Sequence, residues 1–315
     1  MQLKKRWQII IWILVAALLV WAVRDMDWTS VWAAVSHIRP VWLGLLLLFN
    51  LFTMACFGLP WWLILRSFGQ RVSLWTLILY RIAGFGWSYF IPGPFIGGEP
   101  LQVLALRRAN VPMSVAVASV ALDRVLEWLV NLGVMLIGLG ILSQLVALPL
   151  ALRSLTMVVV VGVLAAMLLY MVAAFTGRKP LTQLLPRLPR LSVTIVYTIR
   201  DAELRLAEVG LPSLLGPVLM VALSWLLVLL DYWLLMALLG LRLSLWQLLA
   251  AITVNRVAFL VPIPAGLGAV EGSQILVMHL LGLDVSIGLA HSLLSRVRDM
   301  LTGALGLFIS ARLMR

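Results

Sequence analysis

Ile91-Pro-Gly-Pro-Phe-Ile-Gly-Gly-Glu-Pro100 and Val261-Pro-Ile-Pro-Ala-Gly-Leu-Gly-Ala-Val-Glu-Gly272 are the two stretches that decide the fold. Each breaks an apolar sequence with prolines and glycines and leads to a glutamate, Glu99 in the first and Glu271 in the second. Proline lacks a backbone N–H group and glycine adopts conformations that other residues avoid, so both interrupt helices. Such paired interruptions in the two halves of a membrane protein indicate a binding site near the middle of the membrane.

The sequence around the two motifs also repeats. Four polar or charged positions recur at one constant offset, without a gap. The recurring pairs are Glu99 and Glu271, Gln102 and Gln274, Arg124 and Arg296, and Glu127 and Asp299. The chain therefore contains two copies of one arrangement, and each copy ends in an arginine with an acid three residues later.

The composition is that of a membrane protein. Hydrophobic residues make up 63% of the 315 residues and charged residues only 11%, whereas soluble domains carry about 25% charged residues. The net charge of +12 fits cytoplasmic loops and anionic lipid surfaces. No basic run interleaved with aromatic residues indicates a nucleic-acid partner.

Continuous apolar runs predict the helices that cross the membrane. The predicted full spans are 7–23, 40–65, 73–91, 112–142, 152–174, 212–239, 243–261 and 285–311. The shorter pieces 99–109 and 271–282 would each cover roughly 15–18 Å as helices, about half of the bilayer core. We predict an all-α polytopic membrane protein with about eight full spans and two short broken or re-entrant helices.

The distribution of basic residues predicts the orientation. If each short piece completes a crossing and the N-terminus is cytoplasmic, most lysines and arginines between the spans face the cytoplasm, as the positive-inside rule requires. If the short pieces return to the side they left, the basic N-terminus and the basic stretch 175–211 fall on opposite sides. We therefore expect two inverted repeats, as in many secondary transporters, with both termini in the cytoplasm.

One transmembrane domain, 1–315, accounts for the whole chain. Its parts are 1–39 (a retained first span and an interfacial segment), 40–142 (repeat 1), 143–211 (a connecting span and a basic cytoplasmic linker) and 212–315 (repeat 2). Within the linker, apolar residues recur every three or four positions from Leu188 to Val209. This pattern predicts an amphipathic helix in the headgroup layer, with an ordinary soluble linker helix as the alternative.

Charged residues within apolar spans each cost at least ~2.5–3.5 kcal/mol at the bilayer centre when unpaired. Arg124 with Glu127, and Arg296 with Asp299, are spaced to pair on one helix face. One interpretation is that these pairs only make the arginines tolerable. The other is that both arginines face a central cavity and bind an anionic group, since the guanidinium fork donates two parallel hydrogen bonds to phosphate.

The glutamates at the start of the short helices have two interpretations of similar weight. Each can cap its helix and stabilise the positive end of the helix dipole. Each can also be a proton or cation site, or a gate partner for the arginine of the opposite repeat. Nearby glycines allow a tight backbone path and would expose N–H groups to an anion; they are Gly93, Gly97, Gly98, Gly266 and Gly268.

Other residue types add little to the chemistry. Gln102 and Gln274 either line the same cavity or bond between helices. No cluster of His, Cys and carboxylates has metal-ligand spacing, and we expect no metal, no cofactor and no catalytic residue. Asp25 and Asp27 form an Asp-x-Asp pair after the first span, which suggests a membrane transferase, although helix capping by Asp27 is the simpler explanation.

The two motifs resemble those of the lysylphosphatidylglycerol synthase transmembrane-domain family of flippase-like membrane proteins. The first motif is followed by Arg107 and by Asp123-Arg124, and the more specific second motif is followed by Arg296. The resemblance covers nearly the whole chain. In bifunctional members a domain of this kind is similar to a lipid flippase and precedes a cytosolic synthase domain. This chain ends at Arg315, so aminoacyl transfer is not expected.

The resemblance and the repeated charges predict a lipid transporter of the bacterial inner membrane rather than an enzyme. Its partners would be membrane lipids, anionic ones first, and enzymes of lipid biosynthesis. The predicted substrate-binding residues are the four recurring pairs with Gly97, Gly98, Gly266 and Gly268. The alternatives are a membrane transferase acting on a lipid phosphate and a non-transporting partner of a lipid-synthesis complex.

Overall fold

A computed structural model describes residues 28–90, 97–145, 150–178, 182, 200–205, 207–208, 210–259, 266 and 268–313. Several predicted features lie outside these residues: the first span 7–23, Asp25 and Asp27, Pro92, Gly93, Pro94, Pro262 and Pro264, and most of the linker helix 188–209. The regular elements within the described part are all helical, as predicted from the continuous apolar runs.

The described helices follow the predicted spans closely. They are α1 (Trp28–Ser36), α2 (Pro40–Cys56), α3 (Gly58–Ser67), α4 (Leu74–Phe90), α5 (Glu99–Arg108), α6 (Met113–Leu145), α7 (Leu150–Phe175), α8 (Leu215–Leu238), α9 (Leu245–Ala258), α10 (Ala269–Leu280) and α11 (Val285–Leu313). A short 3₁₀ helix, Leu211–Leu214, precedes α8.

The predicted span 40–65 is divided at Phe57. This residue ends α2 and begins α3. Pro60 follows in the first turn of α3; its ring replaces the N–H group that would bond to the carbonyl of Cys56. The chain therefore bends here, and α2 and α3 together cover the length that the sequence assigned to one helix.

Three helices of the described part are long and apolar enough to cross a membrane: Pro40–Ser67, counted through the bend, Met113–Leu145 and Pro212–Leu238. Helix α4 has 17 residues and α9 has 14, about 25 Å and 21 Å at 1.5 Å per residue. Helix α11 has 29 residues but carries Arg296, Arg298 and Asp299 near its middle. The count of eight spans and the inverted layout stay predictions.

Each predicted repeat has an apolar core of its own. In repeat 1, helices α3 to α6 pack around Trp61 and Leu106. In repeat 2, helices α8 to α10 pack around Met236, Ile252 and Met278. Two further apolar clusters, around Leu126 with Trp225 and around Leu46 with Leu289, join the two repeats.

The two repeats contact each other in a reciprocal way. Helix α4 of repeat 1 packs against α11 of repeat 2, and the equivalent of α4, which is α9, packs against the equivalent of α11, which is α6. Small residues permit the close approach, as is common between helices in membranes. A Cβ atom on Gly306 of α11 would lie 2.2 Å from the backbone oxygen of Ile82, and one on Gly138 of α6 would lie 2.6 Å from that of Leu249.

Candidate functional site

A cavity of about 320 Å³ lies between the two repeats. Repeat 1 contributes lining residues from α2, α4, α5 and α6, and repeat 2 contributes residues from α8 to α11. Five arginines line the cavity: Arg81, Arg124, Arg256, Arg296 and Arg298. Since an unpaired charge in a membrane is costly, the partners of these arginines decide what the cavity can bind.

The first-repeat cluster consists of Arg81, Arg124, Glu99, Asp123 and Glu127. Arg81 of α4 is buried and donates hydrogen bonds to Asp123 and, at 2.8 Å, to Glu127 on α6. Arg124 donates to Glu127 at 2.8 Å and lies 3.4 Å from Glu99. The predicted pair of Arg124 with Glu127 is present, and Arg81 shares its carboxylate from a neighbouring helix.

The second-repeat cluster consists of Arg296, Arg298, Asp231, Glu271 and Asp299. Arg296 binds both carboxylate oxygens of Glu271, with 2.7 Å between Nη2 and Oε2, and donates to the backbone oxygen of Gly266 at 3.0 Å. Arg298 binds Asp231 on α8 and lies 3.0 Å from Asp299. This cluster therefore forms two separate groups.

Two expectations about these charges were wrong. The helix spacing predicted a pair of Arg296 with Asp299, but α10 begins beside α11 and places Glu271 within reach of Arg296, while Asp299 pairs with Arg298. The glutamates were also considered as partners for the arginine of the opposite repeat. Each pairs with the arginine of its own repeat, because α5 packs on α6 and α10 packs on α11.

The glycines at the starts of the short helices hold the backbone rather than offer free N–H groups. Gly97 and Gly268 donate their N–H groups to Glu99 and Glu271 at 2.8 Å, which are the helix-start contacts expected of these carboxylates. Gly98 donates to Ser88 at 2.9 Å, and a Cβ atom on it would lie 2.1 Å from the oxygen of Gly84. The expectation that these N–H groups would receive an anion does not hold for Gly97, Gly98 and Gly268.

The cavity brings together part of the predicted substrate-binding set. Glu99, Gln102, Arg124, Glu127, Arg296, Asp299 and Gly98 line it. The other predicted residues, Glu271, Gln274, Gly97, Gly266 and Gly268, lie outside the lining. Glu271 still acts on the cavity through Arg296, and Gly266 supports the same arginine through its carbonyl oxygen.

Several lining residues were missed as site residues. Four charged residues line the cavity but are absent from the predicted substrate-binding set, because that prediction rests on positions that recur in both repeats; they are Arg81, Asp231, Arg256 and Arg298. Asn50, Asn131, Asn255, Tyr232 and His291 also line the cavity. A polar residue inside a membrane helix is itself the signal that could have identified them.

Gln274 supports the wall of the cavity from a fully buried position. Its Oε1 atom accepts a hydrogen bond of 2.6 Å from the hydroxyl of Tyr232. We expect Tyr232→Phe to destabilise the protein by roughly 1–3 kcal/mol, because a buried acceptor loses its donor. Thermal unfolding of the purified protein measures this loss.

The control is the double variant Tyr232→Phe, Gln274→Leu. It removes both polar groups, so it should unfold at a higher temperature than Tyr232→Phe alone. A double variant less stable than Tyr232→Phe would show that the hydrogen bond is not what Gln274 contributes.

Apolar helices that enclose a charged cavity between two similar halves define a multi-pass integral membrane protein. The exposed side chains of α7 agree with this class, since Leu155, Val158 and Leu169 present more than half of their surface outside the bundle. The chain matches the family described as the lysylphosphatidylglycerol synthase TM region over residues 8–306, and it belongs to that family. No curated protein matches the chain.

Proposed function

We propose that this protein moves an anionic lipid, either a phospholipid or a polyprenyl-linked lipid, across the inner membrane of a bacterium. The observation that carries the proposal is the charged cavity between the two repeats, to which both repeats contribute arginines. A cavity of about 320 Å³ lies at the small end of ligand sites. It suits a headgroup, while the acyl chains stay among the membrane lipids.

The two glutamate–arginine pairs differ in a way that supports movement. In repeat 2 the pair is largely buried, with side-chain exposures of 12% for Arg296 and 2% for Glu271. In repeat 1 the Nε atom of Arg124 is 3.4 Å from Glu99, and the two side chains are 26% and 19% exposed. An entering phosphate can compete with Glu99 for Arg124 at little cost while Arg124 keeps its bond to Glu127, so we assign the first contact with the headgroup to this residue.

The proposed arrangement in the membrane follows from charge and packing. The reciprocal contacts of α4 with α11 and of α9 with α6 support two repeats related by a two-fold axis. Combined with the positive-inside rule, they support inverted repeats, about eight full spans with α5 and α10 as short broken helices, and cytoplasmic termini.

The chemistry proposed for the cavity is binding and release rather than bond cleavage. Glu99 and Glu271 would act as gates, because each would release its arginine when the headgroup binds that arginine. The energy would come from an ion gradient or from removal of the lipid on one side by a biosynthetic enzyme, which is the partner we propose. No cofactor takes part in this scheme.

A vesicle assay tests the proposal. Purified protein is reconstituted into vesicles that contain a fluorescent phosphatidylglycerol, and a membrane-impermeant quencher reports the movement of the label between leaflets. We expect wild-type protein to accelerate this movement and Arg124→Gln to slow it by roughly tenfold or more, since a charged hydrogen bond contributes about 1.5–3 kcal/mol.

Two further variants complete the assay. Arg66→Gln is the matched control, because Arg66 is exposed, stacks on Trp62 and lies outside the lining of the cavity; it should transport as the wild type does. Asp25→Asn should also transport normally. Vesicles in which wild-type protein and empty membranes give equal rates would exclude transport, and a lipid-phosphate transferase activity abolished by Asp25→Asn would favour the rival function.

A further inference from the structure

Arg256 differs from the other four arginines of the cavity because it forms no ion pair with a carboxylate in the described part of the chain. Arg81, Arg124, Arg296 and Arg298 each form ion pairs with carboxylates. Within the described part of the chain, Arg256 forms neither an ion pair nor a hydrogen bond, and its Nε atom is buried without an acceptor. An unpaired cation among membrane helices is costly, which suggests that its partner is a ligand.

The side chain of Arg256 is nevertheless held in place. Its guanidinium carbon lies 4.8 Å from the centre of the Trp225 ring and 5.9 Å from that of Phe259. Cation–π contacts of this kind orient the guanidinium group. They do not use its N–H groups as hydrogen-bond donors. The stacking therefore fixes the position of the cation without satisfying its hydrogen-bond donors.

The carboxylates near Arg256 are engaged elsewhere. Glu127, Asp231 and Asp299 act on it electrostatically from beyond ion-pair distance. Glu127 pairs with Arg81 and Arg124, and the two aspartates pair with Arg298. None of these acids is free to neutralise Arg256 without releasing another arginine.

Other hydrogen-bonding groups without partners line the same cavity. Among the described residues, the indole Nε1 of Trp225 is a buried donor with no acceptor. The amide oxygens of Asn131 and Asn255 are buried and accept no hydrogen bond from the described residues. Because the two ends of an amide can exchange places by rotation, each asparagine can present its NH₂ group to an anion instead.

The surrounding charges limit the ligand to one negative charge. The first-repeat and second-repeat clusters each hold two arginines and three carboxylates, so each formally has one carboxylate in excess. A second negative charge on the ligand would face this excess in a medium that screens it weakly. A phosphodiester carries one charge, whereas a phosphomonoester carries about 1.5–2 at neutral pH.

We propose that Arg256, with Trp225, Asn131 and Asn255, binds the singly charged phosphodiester of a glycerophospholipid headgroup. The inference rests on the proposed function and narrows it, because it favours phospholipids over polyprenyl monophosphates and pyrophosphates. The headgroup would reach this position after its first contact with Arg124.

The test measures binding without transport. Protein in an uncharged detergent is titrated with dihexanoyl phosphatidylglycerol, and the apparent affinity is obtained from the rise in unfolding temperature. We expect saturable stabilisation of the wild type and of Arg66→Gln, and a loss of affinity of roughly tenfold or more in Arg256→Gln. Arg256→Lys keeps the charge but loses the planar fork, so its affinity should lie between those of the wild type and Arg256→Gln.

Three further probes at pH 8 define the ligand. Dihexanoyl phosphatidic acid, inorganic phosphate and dihexanoylglycerol should each stabilise the wild type less than the phosphodiester lipid does. Stronger binding of phosphatidic acid would overturn the single-charge assignment, and equal binding of inorganic phosphate would overturn the assignment to a lipid. Equal affinities in the wild type and in both Arg256 variants, or no stabilisation of the wild type, would overturn the site itself.

The binding experiment and the vesicle experiment test the two proposals independently. Binding that depends on Arg256 in a protein that moves no lipid would overturn only the proposed transport. Transport that is unchanged in Arg256→Gln and Arg256→Lys would overturn only the role of Arg256.

Discussion

Arg296→Ala is expected to reduce the free energy of unfolding by roughly 3–5 kcal/mol, the largest loss predicted for this protein. The cause is Glu271, whose side chain is 2% exposed and is bound by Arg296 through both carboxylate oxygens. Without the arginine, the buried carboxylate of Glu271 loses the cation that pairs with it. Thermal unfolding of the purified protein in detergent provides the measurement.

The equivalent residue of the other repeat is the matched control for this loss. Arg124→Ala removes an arginine that is 26% exposed and whose contact with Glu99 is 3.4 Å long. Because Arg81 still binds Glu127, we expect a cost of about 1 kcal/mol or less. Equal losses for the two variants would contradict the asymmetry between the repeats.

A compensating variant separates the lost pair from lost packing. Glu271→Gln removes the charge that Arg296→Ala leaves unpaired. The combined variant should therefore recover part of the stability that Arg296→Ala loses. If the two losses simply add, the destabilisation comes from the arginine's packing and its bond to Gly266 rather than from the buried charge.

Gly306→Ala is expected to reduce stability by about 1–3 kcal/mol, the usual range for added volume in a closely packed interior. The new Cβ atom would lie 2.2 Å from the oxygen of Ile82 and 3.0 Å from the Cα atom of Gly86, which are both backbone atoms of α4. No side-chain rotation can relieve this overlap, so α4 and α11 must separate. Thermal unfolding and the vesicle assay should both show the loss.

Gly140→Ala is the control for the change from glycine to alanine. Gly140 lies within α6, and nothing is within 4 Å of the position that its Cβ atom would take. Alanine favours the helix by about 1 kcal/mol over glycine, so this variant should be as stable as the wild type or more so. A Gly306→Ala protein that unfolds no earlier than Gly140→Ala would show that α4 and α11 are not closely packed.

The sequence predicts the helices well because their signals are local. The apolar pieces predicted at 99–109 and 271–282 correspond to Glu99–Arg108 and Ala269–Leu280. Glutamates in the first turns mark where these helices start. The bend at Phe57 was not predicted, although Pro60 is visible in the sequence, because proline in a first turn and proline in a helix interior look alike without the structure.

The charges of the cavity are predicted less completely because their partners lie far away in the chain. The pair of Arg124 with Glu127 follows from helix spacing. The bonds from Arg81 to Asp123 and from Arg298 to Asp231 depend on how four helices pack, α4 on α6 and α11 on α8. The positions that recur in both repeats do not include Arg256, whose equivalent in repeat 1 is Gly84.

The reciprocal packing of α4 with α11 and of α9 with α6 also bears on the ancestry of the protein. Two identical half-length chains could associate through the same contacts, each surface meeting its own copy as in a two-fold homodimer. In such a dimer every charge of a shared cavity occurs twice. Once the halves are joined in one chain, a charge can occur once, as Arg256 does opposite Gly84 and Asp231 opposite Leu59. A cavity between two identical chains cannot hold an arginine that occurs once, whereas the cavity of this single chain holds three, Arg81, Arg256 and Arg298.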